Sequence, residues 1–126
     1  MKIRKLLSLL FVSTIVVALA MPLSAQAQEA AKGQTFAGEI MDSACAKMGS
    51  HKMMMEKEGA KDAKECTDKC VQGGSKYVLY NSATKKTYQL DDQNKSKELS
   101  GQKVKITGSY DRKTKTIHVE SIDAAS

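Results

Sequence analysis

The sequence predicts a mainly β protein, a small five-stranded barrel that carries a helical insertion between its first two strands. Two observations support this fold class. Apolar residues alternate with a period of two in five short segments, as expected for half-buried strands. Between the first two of these segments lies a stretch, 43–75, whose cap residues and glycines are typical of short helices instead. All three cysteines of the chain lie in that insertion.

The N-terminal residues 1–27 have the composition of a secretory signal peptide. A start rich in lysine and arginine precedes an almost wholly apolar run at 6–19, and the sequence Ala-Gln-Ala at 25–27 is a signal-peptidase pattern. We expect cleavage after Ala27, with a cut after Ala25 as the alternative. An uncleaved anchor is disfavoured because the run is shorter than the about 20 residues that a spanning helix needs. A periplasmic or secreted protein without a membrane span is therefore predicted.

Cleavage after Ala27 would leave 99 residues and lower the net charge from +6 to +3, because the leader holds three basic and no acidic residues. Lysines and acidic residues are interspersed along the rest of the chain, which indicates an ordinary solvated surface. Nucleic acid is therefore not expected as a partner. Residues 28–34 are small and polar and predict a flexible tail, so the domain is expected to span 35–123.

The order of the predicted strands is informative about topology. They cover 35–42, 77–80, 87–90, 103–110 and 116–122. Gly38 suggests a bend or bulge in the first strand, and Ile122 is out of step with Ile117 and Val119, which suggests a bulge or an early end in the last. A helical turn around 95–99 connects the third strand to the fourth. This order resembles an OB-fold barrel, with an SH3-like barrel as the alternative.

Two helices are predicted within the insertion. The first is capped by Ser50 and runs to about Glu58, where a glycine follows. The second opens with Asp62 and Glu65 at the spacing of a capping box. It should end near Gln72, because two glycines follow that residue and supply a left-handed stop.

Three short motifs accompany the strand pattern, and the two that contain cysteine are the more specific. The three are Asp42-Ser43-x-Cys45, Cys66-x-x-x-Cys70 and Gly73-Gly-Ser-Lys-Tyr77. Together with the strands, they resemble a group of small exported bacterial OB-fold-like proteins of unassigned function. The resemblance covers roughly residues 35–122. It implies the fold and the location, and it brings no catalytic residue with it.

The odd number of cysteines leaves the chemistry of the insertion open. Export makes a disulfide permissible, and we expect a bridge from Cys45 to Cys66 or Cys70. A bridge between Cys66 and Cys70 is disfavoured because their Cβ atoms are widely spaced on one helix. Closing a loop of roughly 20 to 25 residues would stabilise the fold by about 3 kcal/mol in the chain-entropy model. The remaining thiol could also join two copies into a disulfide-linked dimer.

The alternative for the same segment is a soft-metal site. Its candidate ligands are Cys45, His51, Cys66 and Cys70, with Met53, Met54 and Met55 as assisting ligands. Three thiolates and an imidazole form a tetrahedral set that suits zinc, although the spacing matches no common zinc module. The thioethers shift the preference towards copper(I), so zinc and copper are the two candidate metals. Otherwise the methionines fill a small core between the helices.

These observations lead to three hypotheses for function. The first is a non-enzymatic binding or envelope-maintenance module, stapled by a disulfide, whose partner is an unknown small ligand or envelope protein. The second is the soft-metal binder, and the third is a thiol-redox factor. The third is disfavoured because Cys-x-x-x-Cys is not the Cys-x-x-Cys of thiol oxidoreductases. His118 is expected to point outward from its strand rather than to act as a catalytic base.

Overall fold

The structure, a computed structural model, describes residues 33–126. This part of the chain contains five strands and four helices. In chain order they are β1 (Gln34–Asp42), α1 (Ser43–Met48), α2 (Lys52–Glu58), α3 (Ala63–Gln72), β2 (Tyr77–Asn81), β3 (Lys86–Leu90), α4 (Gln93–Glu98), β4 (Lys103–Asp111) and β5 (Thr116–Ala124). The predicted signal peptide 1–27 lies outside the described residues, as does most of the predicted tail 28–34. None of the helices from Gly33 onward has the length and apolar character needed to cross a membrane.

The mainly β class and the five strands are confirmed. β1 pairs antiparallel with both β2 and β4, β2 with β3, and β4 with β5. β3 and β5 run parallel over a short register that includes Leu90 opposite Ile117. The strand order is β1-β2-β3-β5-β4, and β4 pairs in turn with β1, so each of the five strands has a partner on both sides.

The insertion between β1 and β2 holds three helices rather than two. Helix α1 begins directly after β1, because the Asp42 side chain accepts hydrogen bonds from the backbone N–H groups of Ala44 and Cys45, both at 2.9 Å. It ends at Gly49, whose φ of 71° is the left-handed conformation that glycine adopts without strain. A six-residue helix is too short to show a periodic apolar face, and so the sequence pattern did not reveal it.

The predicted cap at Ser50 is wrong by one residue. His51 occupies the N-cap of α2, and it makes no capping hydrogen bond with its side chain. Ser50 instead accepts a hydrogen bond from the backbone N–H of Lys52 at 3.1 Å. The imidazole points to β1 instead, where its Nε2 atom is hydrogen-bonded to Glu39.

The start and the end of α3 agree with prediction, with two local differences. The Asp62 side chain accepts from the backbone N–H of Glu65 at 2.8 Å, as expected of the N-cap. Glu65 reaches back one residue further than a capping box does, to the N–H of Lys61. At the C-terminal end, the C-cap residue Gly73 has a negative φ of −78°. The positive φ expected for the stop is found one residue later, at Gly74, with 111°.

The two irregularities predicted for the strands have different outcomes. In the β4–β5 pair, Thr107 lies opposite Ser121 and Gly108 opposite Val119, so the register shifts by one residue. This bulge brings Ile122 back towards the core, where it packs in a half-buried position, and confirms the prediction. At Gly38 the pairing with β4 is unbroken, so no bulge is present. A Cβ there would lie 2.5 Å from the carbonyl oxygen of Tyr80, which explains the glycine.

The C-terminal end of β1, residues 40–42, and most of β2, residues 77–80, are buried on both faces. Their inward residues join the sheet interior, a hydrocarbon cluster formed by Ile40, Tyr77, Leu79, Leu90, Val104, Ile106 and Ile117. Because side chains alternate along a strand, Met41 and Val78 point to the opposite face. There, together with Tyr80, they pack against Cys45 and Cys66 of the insertion. We call this second cluster the cysteine layer.

Candidate metal centre

The cysteine layer is assembled by two helices that meet over the outer face of β1 and β2. Cys45 on α1 and Cys66 on α3 face each other with their Sγ atoms 4.0 Å apart, and both side chains are fully buried. Cys70 lies one turn further along α3 and is half-buried. The folding-back of the insertion therefore brings all three cysteines of the chain to one place.

All three cysteines are free thiols in this structure. A disulfide requires sulfur atoms about 2.05 Å apart, and the 4.0 Å between Cys45 and Cys66 is a weak S–H···S contact. The structure thus describes the reduced protein, and the disulfide stays a prediction. If it forms, Cys66 and Cys70 are both near enough to be the partner of Cys45, since the sulfur atoms of Cys45 and Cys70 also lie within 4.8 Å of each other.

Cys45, His51 and Cys66 form a group of potential metal ligands. Each offers one ligand atom, and these atoms all lie within 4.8 Å of one another. All three residues are buried. Bonds of about 2.3 Å to sulfur and 2.1 Å to nitrogen place the ligands of a tetrahedral zinc ion roughly 3.5 Å apart, so a small inward movement would complete the geometry.

His51 is oriented by a carboxylate. Its Nε2 atom lies 2.8 Å from Oε1 of Glu39 on β1, while its Nδ1 atom is buried and has no hydrogen-bond partner in the described part of the chain. The tautomer that donates from Nε2 to the carboxylate leaves a lone pair on Nδ1. Metal-binding histidines commonly show this arrangement, in which one ring nitrogen is held by a carboxylate and the other binds the ion.

Asp42 contributes a second buried atom without a partner. The residue is fully buried; Oδ1 caps α1, and Oδ2 accepts no hydrogen bond. An Asp42 oxygen forms a second group of ligand atoms with Cys45 and Cys70, again within 4.8 Å. In the described part of the chain, Oγ1 of Thr67, the residue after Cys66, is the third buried side-chain atom without a hydrogen-bond partner. Unsatisfied buried polar atoms are few in native proteins, and each requires a physical explanation such as an ion.

The environment of the cysteines favours the protonated thiols while no metal is bound. Burial raises the pKa of Cys45, and the nearby negative charge of Asp42 raises it further. Burial, then the charge of Asp42 and the proximity of Cys66, raise the pKa of Cys70 to about 11. A reactive thiol needs the opposite shift, which argues against the thiol-redox hypothesis. A bound metal ion would deprotonate these ligands outright.

The methionines divide into two sets. Met54 and Met55 are half-buried and pack against the cysteine layer, in agreement with a filling role between the helices. Met53, by contrast, is 66% exposed on α2. A supporting role as a ligand is therefore compatible with the positions of Met54 and Met55, but the exposed Met53 takes no part in the layer.

A polar network around Asp68, which lies between Cys66 and Cys70 on α3, anchors this helix to the rest of the domain. The carboxylate of Asp68 accepts hydrogen bonds from the hydroxyl groups of Tyr77 at 2.8 Å and Ser100 at 2.7 Å, and from Nζ of Lys64 at 2.9 Å. Burial opposes ionisation of Asp68, but these three donors together hold its pKa below the usual value. Because Asp68 lies between Cys66 and Cys70, the network sets the rotation of the helix and hence the direction of both thiols.

Sequence reasoning missed the residues that support the ligands. The motif Asp42-Ser43-x-Cys45 was noticed, but only the structure shows that its aspartate both caps α1 and presents an oxygen to the cysteines. Glu39 gave no signal, because a polar residue in an alternating strand normally faces solvent. Its role as the partner of His51 depends on a contact across twelve residues of chain.

A cavity of about 830 Å³ borders the site. His51 and Glu39 form part of its wall together with Met41, Met55 and Tyr80. The side chains of Lys52 and Lys103 also line it. The cavity gives solvent or a small molecule a route to the His51–Glu39 pair.

Comparisons with protein-family models, with curated proteins and with solved structures found no match to this chain. The resemblance to small exported OB-fold-like proteins therefore stays a hypothesis. The chemistry of the site has to be inferred from its own geometry: two buried thiols, a buried imidazole held by a carboxylate, and a third thiol beside a buried aspartate.

Proposed function

We propose that the protein binds a thiophilic metal ion, zinc or copper(I), between α1 and α3 through Cys45, Cys66 and His51. The observations that carry this proposal concern one residue: His51 forms a ligand group with two buried thiols, and its Nδ1 atom is buried and unpartnered in the described part of the chain. Leaving such an atom unsatisfied costs about 1 to 3 kcal/mol in a metal-free core. As a metal ligand, the same atom is fully satisfied.

The donor set narrows the choice of metal. Thiolate and imidazole ligands suit zinc, which in structural sites has four ligands, so a water molecule would complete its coordination. Copper(I) prefers soft ligands, and the half-buried Met55 is a thioether near the cluster that could serve it. The two metals thus make different demands on the fourth position.

The rest of the chain acts in this proposal as a scaffold. We propose an OB-fold-like barrel for it, because the strand order β1-β2-β3-β5-β4, the parallel β3–β5 pair and a helix between β3 and β4 support that topology over an SH3-like one. The chain is proposed to be exported and non-enzymatic, and to hold or buffer the metal outside the cytoplasm. In that role the rigid sheet keeps β1, and with it Glu39, in place beneath the ligands.

The test is a metal titration of the purified, reduced protein under anaerobic conditions. A phosphine reductant keeps the cysteines reduced, and a competing chromophoric chelator reports binding of zinc and, separately, of copper(I). We expect stoichiometric binding by the wild type and its loss in Cys66→Ser and His51→Ala. The matched control is His118→Ala, because His118 is the other histidine of the chain and lies exposed on β5. Binding by His51→Ala that equals the wild type would contradict the proposal.

A second candidate function is the disulfide-stapled binding module. The specific observation in its favour is the 4.0 Å contact between two fully buried thiols. After export, a thiol-oxidising factor or disulfide of the oxidising compartment would accept their two electrons and two protons, and a modest movement would bring the sulfur atoms to bonding distance. The cavity of about 830 Å³ beside the insertion would then be the ligand site. A thiol titration of the native exported protein separates the two functions. One free thiol without metal supports the module, and three thiols that become reactive only after chelation support the metal centre.

A further inference from the structure

We infer that the centre is binuclear: a second zinc ion is bound by Asp42 and Cys70 and shares the Cys45 thiolate with the ion at Cys66 and His51. The inference deepens the proposed function and rests on it. It concerns how many ions the site takes, which metal it takes and which residue bridges them.

The ligand atoms fall into two groups of three rather than one group of four. Cys45, His51 and Cys66 form the first group, and Asp42, Cys45 and Cys70 form the second. No group in residues 33–126 joins Cys70 to His51 and Cys66 within the same 4.8 Å limit. Cys70 is therefore not placed as the fourth ligand of the first ion, and Cys45 is the member that the two groups share.

The buried oxygen of Asp42 is an independent observation at the second position. Oδ1 is already occupied by two backbone N–H groups of α1, whereas Oδ2 has no partner although the residue is fully buried. An N-cap needs only one oxygen, and serine or asparagine would supply it without a negative charge. A second ion accounts for the carboxylate, because it would pair with both the free oxygen and the charge.

Charge balance favours two divalent ions over one. The bound state contains three thiolates and one carboxylate, a total of four negative charges, and a neutral imidazole. Two zinc ions bring this buried group to zero, while a single zinc ion at Cys45, Cys66 and His51, with Cys70 still a thiol, would leave it at −1. Uncompensated charge in a buried site is strongly unfavourable. Two copper(I) ions would leave −2, and a carboxylate oxygen is a poor ligand for copper(I), so zinc fits the pair.

The two positions differ in their access to solvent. Cys66 is fully buried, whereas Cys70 is half-buried. The ion at Asp42 and Cys70 has three protein ligands, so a water molecule is expected in its fourth position. This ion should therefore exchange faster and be the first to leave when a chelator is added.

Stoichiometry tests the inference directly. The reduced protein is loaded with zinc, freed of excess metal and measured by native mass spectrometry and elemental analysis. We expect two zinc ions per chain in the wild type and one in Cys70→Ser and in Asp42→Asn, since asparagine can still cap α1. Asp62→Asn is the matched control, because Asp62 is the exposed N-cap of α3 and its variant should keep two ions. Circular dichroism verifies that each variant is folded.

The outcomes separate this inference from the proposed function. One ion in the wild type would overturn the binuclear site and leave the proposed function intact, while no bound ion would overturn both. Two ions in Cys70→Ser and Asp42→Asn would show that the second ion lies elsewhere, and would also overturn the inference.

Cobalt(II) substitution tests the shared thiolate. A bridging sulfur couples the electron spins of two cobalt ions, so the paramagnetic resonance signal per cobalt should fall when the second equivalent binds. In Cys70→Ser the single ion should keep its full signal. Two equivalents that give twice the signal of one would show that the ions are independent, and the role of Cys45 as a bridge would be wrong.

Discussion

The two faces of β1 and β2 border two cores of different chemistry. The sheet interior is hydrocarbon: Ile40, Leu79 and Ile106 are fully buried there, and its buried residues leave no polar side-chain atom without a partner. The cysteine layer contains sulfur atoms, and buried polar atoms of His51 and Asp42 that lack partners lie beside it. One core is satisfied by its own packing, whereas the other keeps unpartnered polar atoms that the proposed metal ions would bind.

The supports of the two cores also differ. The interior is enclosed by strands that each pair on two sides. The cysteine layer is covered by helices of six, seven and ten residues, which are too short to be stable alone and depend on caps and docking contacts. We therefore expect the free energy of unfolding to depend on metal through the layer and not through the interior.

The largest effect is expected from Ile106→Ala in the sheet interior. Removing this fully buried side chain should lower the free energy of unfolding by about 4 kcal/mol, because methylene groups are lost and a cavity remains. Urea denaturation with zinc and with chelator should give the same loss in both conditions. A loss that depends on zinc would mean that the two cores are coupled, and Ile106→Val, with a smaller loss, serves as the graded control.

Cys66→Ser should remove the stabilisation of the folded protein that the ion at Cys66 and His51 supplies. Zinc at 100 times its dissociation constant raises the free energy of unfolding by about 2.7 kcal/mol when it binds only the folded protein. In Cys66→Ser the increment from the ion at Cys66 and His51 should vanish, while the unfolding transition without metal stays cooperative. The measurement is the difference in urea midpoint with and without zinc. An increment of wild-type size in the variant would exclude Cys66 as a ligand.

Asp68→Ala should loosen α3 and so affect the layer without touching a ligand. The hydroxyl groups of Tyr77 and Ser100 would lose their half-buried acceptor, at a cost of about 2 kcal/mol. Zinc affinity should fall as well, since the helix that carries Cys66 is less firmly held. The control is Lys69→Ala, which breaks an exposed ion pair with Glu65 on the same helix and should cost less than about 0.5 kcal/mol.

The smallest effect is expected at Asp91, far along the sequence from the layer. Partial burial opposes its ionisation, but the backbone N–H of Val119 and the ring of His118 hold its pKa below the usual value. Ionised Asp91 therefore stabilises the folded protein above the pKa of an aspartate in the unfolded state, about 3.9. This stabilisation is lost as the pH falls through the lower pKa of the folded state. Asp91→Asn should narrow the difference in stability between pH 6 and pH 3, by less than about 1 kcal/mol for a partly exposed pair. The measurement is urea denaturation of the wild type and the variant at both pH values. An equal difference in the free energy of unfolding for the two proteins would contradict the prediction.

Local sequence signals predicted the regular parts of both cores. Period-two alternation located the five strands, and the capping aspartate at residue 62 located α3 to the residue. The same reasoning failed at α1 and at the start of α2. In both places a residue of one element makes its side-chain hydrogen bonds to another. Asp42 is the last residue of β1 and caps α1. His51 is the N-cap residue of α2, but its side chain is hydrogen-bonded to Glu39 on β1.

The sequence by itself determined that sulfur would be concentrated between the first two strands, because the spacing of cysteines and helix signals is a local property of the chain. Only the tertiary structure decided which atoms meet. The pairing of Cys45 with Cys66, the orientation of His51 by Glu39 and the free oxygen of Asp42 all depend on how three short helices dock on a sheet. Docking is set by packing and hydrogen bonds between distant segments, and a periodic pattern carries no information about distances of that kind.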